Sequence, residues 1–213
     1  MGKVEVNKEM KKNALYKTAF ELFTTQGIAK TTISDIVNKA GVAKGTFYLY
    51  FKDKYDIRSK LVMHKAQELF YDAHIAMLKA QVTGFEPQIH FLVDYILDRM
   101  EGSPSLVDFF HKNLSMGIFI NLLENDANDS GYHFGKSYRE FFSQSGSSSY
   151  KQPELLLFAI IELVSGTAYS CIIQKQPVGM AEFRPFLHKS IDGILQAFLH
   201  EPVQHHEKMG EVS

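Results

Sequence analysis

The chain has 213 residues and a mass of 24.3 kDa, with 45% hydrophobic and 22% charged residues. This composition excludes intrinsic disorder and collagen-like repeats and is typical of a globular protein. The single cysteine, Cys171, excludes a disulfide framework, so we expect a reducing, cytoplasmic location. The first residues carry no apolar stretch and do not predict a secretory signal.

One stretch, residues 155–173, approaches the length of a membrane span. It contains Glu162 and several hydroxyl-bearing residues, which are costly inside a bilayer. We therefore predict a buried helix in a protein with no membrane partner.

Charge is unevenly divided along the chain, although the net value is only −1. Residues 1–60 hold 12 Lys+Arg and 6 Asp+Glu, which gives +6, while the other 153 residues hold 11 and 18, which gives −7. A basic segment joined to an acidic body suits a chain that brings one end to a polyanion. Charge alone leaves an incidentally uneven surface equally open.

Apolar residues recur at intervals of three and four, which predicts an all-α fold. The first helix begins near Asn7 and stops before Gly27, and Thr32 caps a second helix with Asp35 at the capping-box position. Further helices are expected at about residues 44–51, 54–80, 153–174 and 181–200. Pro87 and Pro104 mark two more helix starts, and an aromatic helix lies between the polar loops at residues 125–131 and 145–149.

Residues 31–54 have the form of a helix-turn-helix. Gly41 can adopt the positive φ of a sharp turn, and Val42 can fill the gap between two helices. Phe47 and Phe51, four residues apart, would bury one face of the third helix. Its opposite face then carries Lys44 and Tyr48, flanked by Gly45 and Leu49.

Residues 8–54 resemble the DNA-binding domain of tetracycline-repressor-like (TetR-type) bacterial transcription regulators. The similarity covers the helix ending at Gly27, the Thr31–Thr32 pair, Ala40-Gly41-Val42, Lys44-Gly45-Thr46, Tyr48-x-Tyr50-Phe51 and Lys54. It implies a DNA-binding domain at residues 1–54, and a long helix leading into a helical ligand-binding and dimerisation domain at residues 55–213.

The resemblance also implies roles for individual residues. Lys44 and Gly45 correspond to positions that approach base edges, and Ser34 corresponds to a base or phosphate contact. The other positions correspond to phosphate contacts. The complete set of expected DNA contacts is Thr32, Ser34, Lys44, Gly45, Thr46, Tyr48, Tyr50 and Lys54.

Structural alternatives stay open at this stage. Thr32 can be a plain N-cap, Lys44 a solvated lysine and Tyr50 a core residue. Position 43 is Ala where the family often has Ser, which removes a capping hydroxyl worth about 1 kcal/mol. Lysines at positions 3, 8, 11 and 12 form a basic arm that either contacts DNA or stays solvated.

The acidic body is rich in aromatic and thioether side chains, since 12 of the 17 phenylalanines lie from Phe85 onward. Such a body can hold an apolar effector, as the resemblance implies. Glu162 is either a ligand-sensing carboxylate or a group at a dimer interface. The candidate pocket residues are Phe109, Phe110, Phe119, Phe134, Tyr138, Phe142, Glu162 and Tyr169.

We therefore expect a ligand-responsive transcription regulator, a repressor rather than an activator, that binds a palindromic operator as a homodimer through its last two long helices. No cofactor is expected. The histidines lack metal-site spacing, and no motif of an enzyme is present. The alternative is an all-helical small-molecule carrier or enzyme that does not bind DNA.

Overall fold

The computed structural model describes residues 3–114, 136–137, 140–141 and 150–199. Within these ranges the chain is all-α, as predicted, and the residues form no sheet. One isolated antiparallel bridge joins Tyr150 to Leu199. The helices in chain order are α1 (Lys3–Thr25), α2 (Ile33–Ala40), α3 (Lys44–Tyr50), α4 (Lys54–Lys79), α5 (Phe85–Glu101), α6 (Pro104–Asn113), α7 (Pro153–Ala168) and α8 (Met180–Phe198).

The first three helices pack around a small apolar core. Leu15 of α1, Ile36 of α2, and Phe47 and Phe51 from α3 and its C-cap are almost completely buried. Helix α1 begins one turn earlier than the sequence predicts, and α2 and α4 agree with the predicted bounds within one residue. The predicted helix-turn-helix is therefore present.

Helix α4 extends from this core into the rest of the molecule. Its 26 residues span about 39 Å, and its buried side contacts both α1 and α5. Near its start, Tyr16 of α1 packs edge-on against Phe51 and stacks on His64 of α4, with ring centroids 5.2 and 4.7 Å apart. These rings therefore join α1, the end of α3 and α4 in one contact.

Ionic contacts join α5 to α8. Arg184 of α8 donates to carboxylate oxygens of Asp94 at 3.1 Å, and of Asp98 and Glu101 at 2.7 Å each. These contacts connect the last helix to two successive turns of α5 and fix the orientation of the two helices.

Two histidines extend this contact along the same pair of helices. The Nδ1 atoms of His90 and His188 are 2.6 Å apart, so one ring donates and the other accepts. The Nε2 atom of His90 lies 2.7 Å from Asp192, and that of His188 lies 2.9 Å from Asp94. Each ring therefore has a carboxylate partner at its outer nitrogen.

Helix α7 continues as a π-helix over Tyr169–Gln174, where the sequence predicts α-helix throughout. Among the described residues, the combined helix Pro153–Gln174 is long and apolar enough to cross a membrane, judged by length and composition alone. Only 28% of its most apolar stretch is buried within the chain. Most of the other residues in this stretch are half-buried, and Leu155 is 49% exposed.

Helix α8, one of the two helices expected to form the dimer, buries much of its apolar side within the single chain. Leu187, Ile191 and Leu195 are at most 1% exposed within the single chain. Phe186, in contrast, is 60% exposed. The apolar surface that α8 leaves uncovered thus lies at Phe186, and the Ile191 side chain belongs to the core.

Candidate nucleic-acid interface

Thr32 forms the predicted capping box at the start of α2. Its Oγ1 accepts a hydrogen bond from the Asp35 amide at 3.1 Å, and its own amide donates to Asp35 Oδ2 at 2.8 Å. Hydrogen bonds from the backbone and the side chain of Thr32 lower the pKa of Asp35. Thr32 and Ser34 are both exposed, so the capped end of α2 is accessible to a ligand outside the protein.

The turn between α2 and α3 depends on Gly41. Its φ is +68°, in the left-handed region that favours glycine, and the Val42 amide donates to the Val37 carbonyl at 3.0 Å. Val42 is half-buried against the core. This turn sets the direction in which α3 leaves α2.

Helix α3 has one buried and one exposed side. Phe47 and Phe51 hold it to the core, while Lys44, Gly45, Tyr48 and Leu49 face outward. Tyr48 is 53% exposed and Leu49 78% exposed. The exposed side therefore combines a cation, a phenol, a leucine and a glycine with no neighbouring side chain in front of it.

The start of α3 lacks a side-chain cap. Ala43 occupies the N-cap position and offers no oxygen, as expected from the sequence. The Thr46 amide donates to the Ala43 carbonyl at 2.8 Å, and Thr46 itself is half-buried. The helix is thus held mainly by its buried aromatic side chains.

Tyr50 is half-buried and joins α3 to α1. Its hydroxyl donates to the carbonyl oxygen of Lys8 at 3.1 Å, and its own carbonyl accepts from Lys60 Nζ at the same distance. The sequence leaves open whether Tyr50 is a core residue or a phosphate contact on the surface. Its half-buried position is intermediate between the two. These contacts bring the beginning of α1 beside the end of α3.

Lys54 has a structural role that the sequence does not suggest. Its Nζ donates to the carbonyl oxygens of Ile28 at 2.9 Å and of Ala29 and Thr31 at 3.1 Å each. The ammonium group thereby supports the connection between α1 and α2, directly before Thr32. A phosphate contact by Lys54 stays a prediction, and in the DNA-free chain this ammonium group already has three protein acceptors.

A half-open apolar cavity of about 100 Å³ lies between α4, α5, α6 and α7. Of the predicted pocket residues, Phe110 lines it. The other lining residues are almost all aliphatic, and they include Ala66, Leu69, Val93, Ile160 and Val164. Sequence reasoning missed them because aliphatic residues at helical spacing resemble any helix core.

Three other predicted pocket residues lie outside this cavity. Phe109 is buried and packs edge-on against Phe20 of α1, and Tyr169 stacks on His111 with ring centroids 3.5 Å apart. Glu162 is exposed. Phe119, Phe134, Tyr138 and Phe142 lie outside the described residues.

The part of the chain that the structure describes gives little support for an enzyme active site or a metal site. Cys171 is buried, and burial raises the pKa of its thiol, which opposes the thiolate form that a nucleophile requires. No group of three or more His, Cys, Asp or Glu residues there can hold a metal ion.

Comparison with known proteins gives matches centred on the first helices. Residues 15–61 match the family model described as "Bacterial regulatory proteins, tetR family". The chain is 48% identical over 44 residues to the HTH-type transcriptional regulator YerO of Bacillus subtilis, covering 21% of this chain and 15% of the relative. It is 52% identical over 40 residues to YvdT of the same organism, covering 19% and 21%. The matches thus span only about a fifth or less of these curated relatives.

Solved structures match over most of the fold. A tetR-family transcription regulator from Shewanella sp. PV-4 has a TM-score of 0.64 at 19% identity, over 90% of this chain and 99% of the other. FadR from Bacillus subtilis, in complex with stearoyl-CoA, has a TM-score of 0.57 at 16% identity, over 84% and 96%. At these identities the likeness concerns the fold.

Proposed function

We propose that this chain is a cytoplasmic protein that regulates transcription by binding double-stranded DNA. By its residues 15–61 it belongs to the tetR family of bacterial regulatory proteins. The single observation that carries the proposal is the exposed side of α3. It presents Lys44, Gly45 and Tyr48 outward, while Phe47 and Phe51 hold the helix against the core. The basic charge of residues 1–60 complements a polyanion of this kind.

In the proposed complex, α3 lies in the major groove, with Lys44 and Gly45 at base edges and Ser34 at a base or phosphate. Thr32, Thr46, Tyr48, Tyr50 and Lys54 hold the phosphate backbone on either side. The exposure of Thr32 and Ser34 at the start of α2 supports this arrangement, although the Thr32 amide and hydroxyl donate to Asp35 in the DNA-free chain. We further propose two domains. Residues 1–54 bind DNA, and residues 55–213 bind the effector and form the dimer.

The test begins with selection of bound duplexes from random DNA by the full chain, followed by fluorescence anisotropy at several salt concentrations. We expect affinity for the selected duplex to fall steeply with salt. Lys44→Ala should relax sequence preference, whereas Lys79→Ala, an exposed lysine at the far end of α4, should bind like the parent. If the parent binds no duplex but binds a small apolar molecule, the chain is a carrier and the proposal is wrong.

We also propose that the chain acts as a homodimer through α7 and α8. The support is the apolar composition of α7 and its continuation, together with Leu155 and Phe186, which are 49% and 60% exposed in the part of the chain that the structure describes. A two-fold dimer places two copies of α3 on half-sites about 34 Å apart, so the operator should be palindromic. Glu162, exposed on α7, then belongs to or borders this interface.

Sedimentation equilibrium at micromolar concentration tests the dimer. The parent should have twice the chain mass, and Phe186→Glu should shift it toward monomer, because the charge would be desolvated at the interface. Leu78→Glu, the same kind of change at an exposed leucine of α4, should keep the parent mass. A monomeric parent contradicts this proposal.

An apolar effector in the cavity between α4 and α7 is proposed to release DNA, so that the protein acts as a repressor. The cavity of about 100 Å³ is smaller than the roughly 150 Å³ that suffices for benzene. We therefore propose that a larger apolar molecule separates the walls of the cavity when it binds. Because α4 forms one wall and begins at Lys54, this movement reaches the DNA-binding helices.

Linkage sets the size of the proposed effect. To weaken DNA binding a hundredfold, the effector must favour the DNA-free arrangement by about 2.7 kcal/mol. Calorimetry of an effector found by thermal-shift screening, with and without saturating operator, should show the same hundredfold change. Ala66→Val, which narrows the cavity, should weaken the effector while operator affinity is kept. An effector that binds with the same affinity in the presence and absence of operator would contradict this switch.

A further inference from the structure

Leu49 is the most exposed of the large hydrophobic residues in the part of the chain that the structure describes, at 78%. It lies in α3 between Tyr48 and Tyr50, and the neighbouring Phe47 and Phe51 are completely or almost completely buried. An isolated leucine on a helix surface is ordinary. Leu49, however, lies on the side of α3 that we propose to face DNA. An apolar side chain there can contact an apolar group on a base edge.

Gly45 and Leu49 are four residues apart and occupy the same row of the helix. A Cβ atom built at Gly45 would meet no atom within 4 Å, so nothing in the protein blocks close approach of another molecule to this row. Lys44 and Tyr48 form the adjacent exposed row. The leucine is therefore next to polar groups suited to phosphates and base edges, with free space one turn before it.

A protein partner explains Leu49 less well. The other exposed apolar side chains that point to a protein interface, Leu155 and Phe186, lie on α7 and α8. Lys44 and Lys52, five and three residues from Leu49 in the chain, are exposed cations, and a dry protein interface that included them would have to desolvate them. A nucleic-acid groove accommodates both an apolar contact and neighbouring cations.

We propose that Leu49 is a specificity-determining residue that recognises thymine through apolar contact with its C5-methyl group. Among the four bases, thymine alone places a methyl group in the major groove. This inference rests on the proposed DNA binding and adds a chemical identity for one base. In this proposal, the row of Lys44 and Tyr48 recognises bases and phosphates by hydrogen bonds. The row of Gly45 and Leu49 recognises the methyl group.

Deoxyuridine provides a direct test because it differs from thymidine only by the missing methyl group. Each thymine of the selected operator is replaced in turn by deoxyuridine, and the Kd is measured at one salt concentration. The expected loss for the parent is about fourfold at one thymine in each half-site, the value of one buried carbon. At the same thymine, Leu49→Ala should show no loss.

Leu78→Ala is the matched control, since Leu78 is also an exposed leucine but lies at the far end of α4. This variant should keep the parent's fourfold loss. Leu49→Ala should fold, because the side chain makes little contact with the core and alanine favours helix; its thermal unfolding is measured alongside.

Three outcomes overturn the inference while DNA binding stands: equal deoxyuridine losses in the parent and Leu49→Ala, no methyl-sensitive thymine in the operator, or loss of methyl sensitivity in Leu78→Ala as well. If the parent binds no duplex under any salt condition, the proposed function itself fails. The two failures are thus distinguished by the parent's binding curve alone.

Discussion

Lys54 donates a hydrogen bond from its ammonium group to the carbonyl oxygen of Ile28, 26 residues earlier in the chain, at 2.9 Å. With the two further bonds to Ala29 and Thr31, the first residue of α4 supports the connection from which α2 begins. The positions of α2 and α4 are therefore coupled by one side chain. The Lys54 variants below test how much this link contributes.

Replacing Lys54 by methionine should lower the free energy of unfolding by about 2 kcal/mol, because three carbonyl oxygens lose a charged donor. Lys54→Arg keeps the charge and should recover part of the loss. Urea unfolding measures both. An unchanged midpoint in Lys54→Met would show that water replaces the ammonium group without cost.

The same variant should weaken DNA binding to all sequences alike. The Lys54 ammonium group lies directly beside Thr32, a proposed phosphate contact. Because Lys54→Met removes this charge, we expect the slope of log affinity against log salt to fall in magnitude by about 1. Retention of the parent slope, with lower affinity, would assign Lys54 to support of the turn only.

Ala43→Ser should stabilise the protein by about 1 kcal/mol, since the N-cap of α3 has no side-chain acceptor. Its backbone is already extended, with φ −68° and ψ 147°, as a capping residue requires. Ala43→Val adds bulk without a hydroxyl and serves as the control. If serine and valine have equal effects on the unfolding midpoint, capping is not the cause.

Stability should decrease as pH falls below about 6.5 because of His64. Its pKa is lowered chiefly by burial, although Glu68 opposes the shift. The unfolded chain therefore takes up a proton before the native chain does. The native form is favoured above the unfolded pKa of about 6.5, and this stability is lost as pH drops through the folded pKa.

His64→Phe removes the titrating group and keeps a ring to stack on Tyr16. Urea unfolding at steps from pH 7.5 to pH 5 should show a smaller loss for His64→Phe than for the parent. Parallel profiles for the two proteins would rule out His64 as a source of the dependence. His74, whose pKa burial also lowers, should account for part of the loss that remains.

Arg184→Met should destabilise the protein by about 1–2 kcal/mol, because the side chain contacts three partly exposed carboxylates at 2.7–3.1 Å. High salt should reduce the difference. Arg99→Met is the control, since Arg99 is 60% exposed and lies 3.7 Å from Asp72. Equal effects of the two substitutions on the unfolding midpoint would contradict the special role of Arg184.

The features that depend on residues three to five apart could be predicted from the sequence. Thr32 and Asp35 form a capping box, Gly41 takes a positive φ and Ala43 leaves α3 uncapped, because caps and turns are closed by near neighbours in the chain. The all-α class and the buried Phe47 and Phe51 followed from helical spacing for the same reason.

Tertiary structure alone decided the contacts between distant segments. Lys54 binds carbonyls 23–26 residues away, Tyr50 reaches Lys8 over 42 residues, and the cavity forms where four helices meet. Periodicity states which side of a helix is apolar but not which helix covers it. Packing therefore determined that Ile191 is buried within its own chain, while Phe186, five residues earlier, is left exposed.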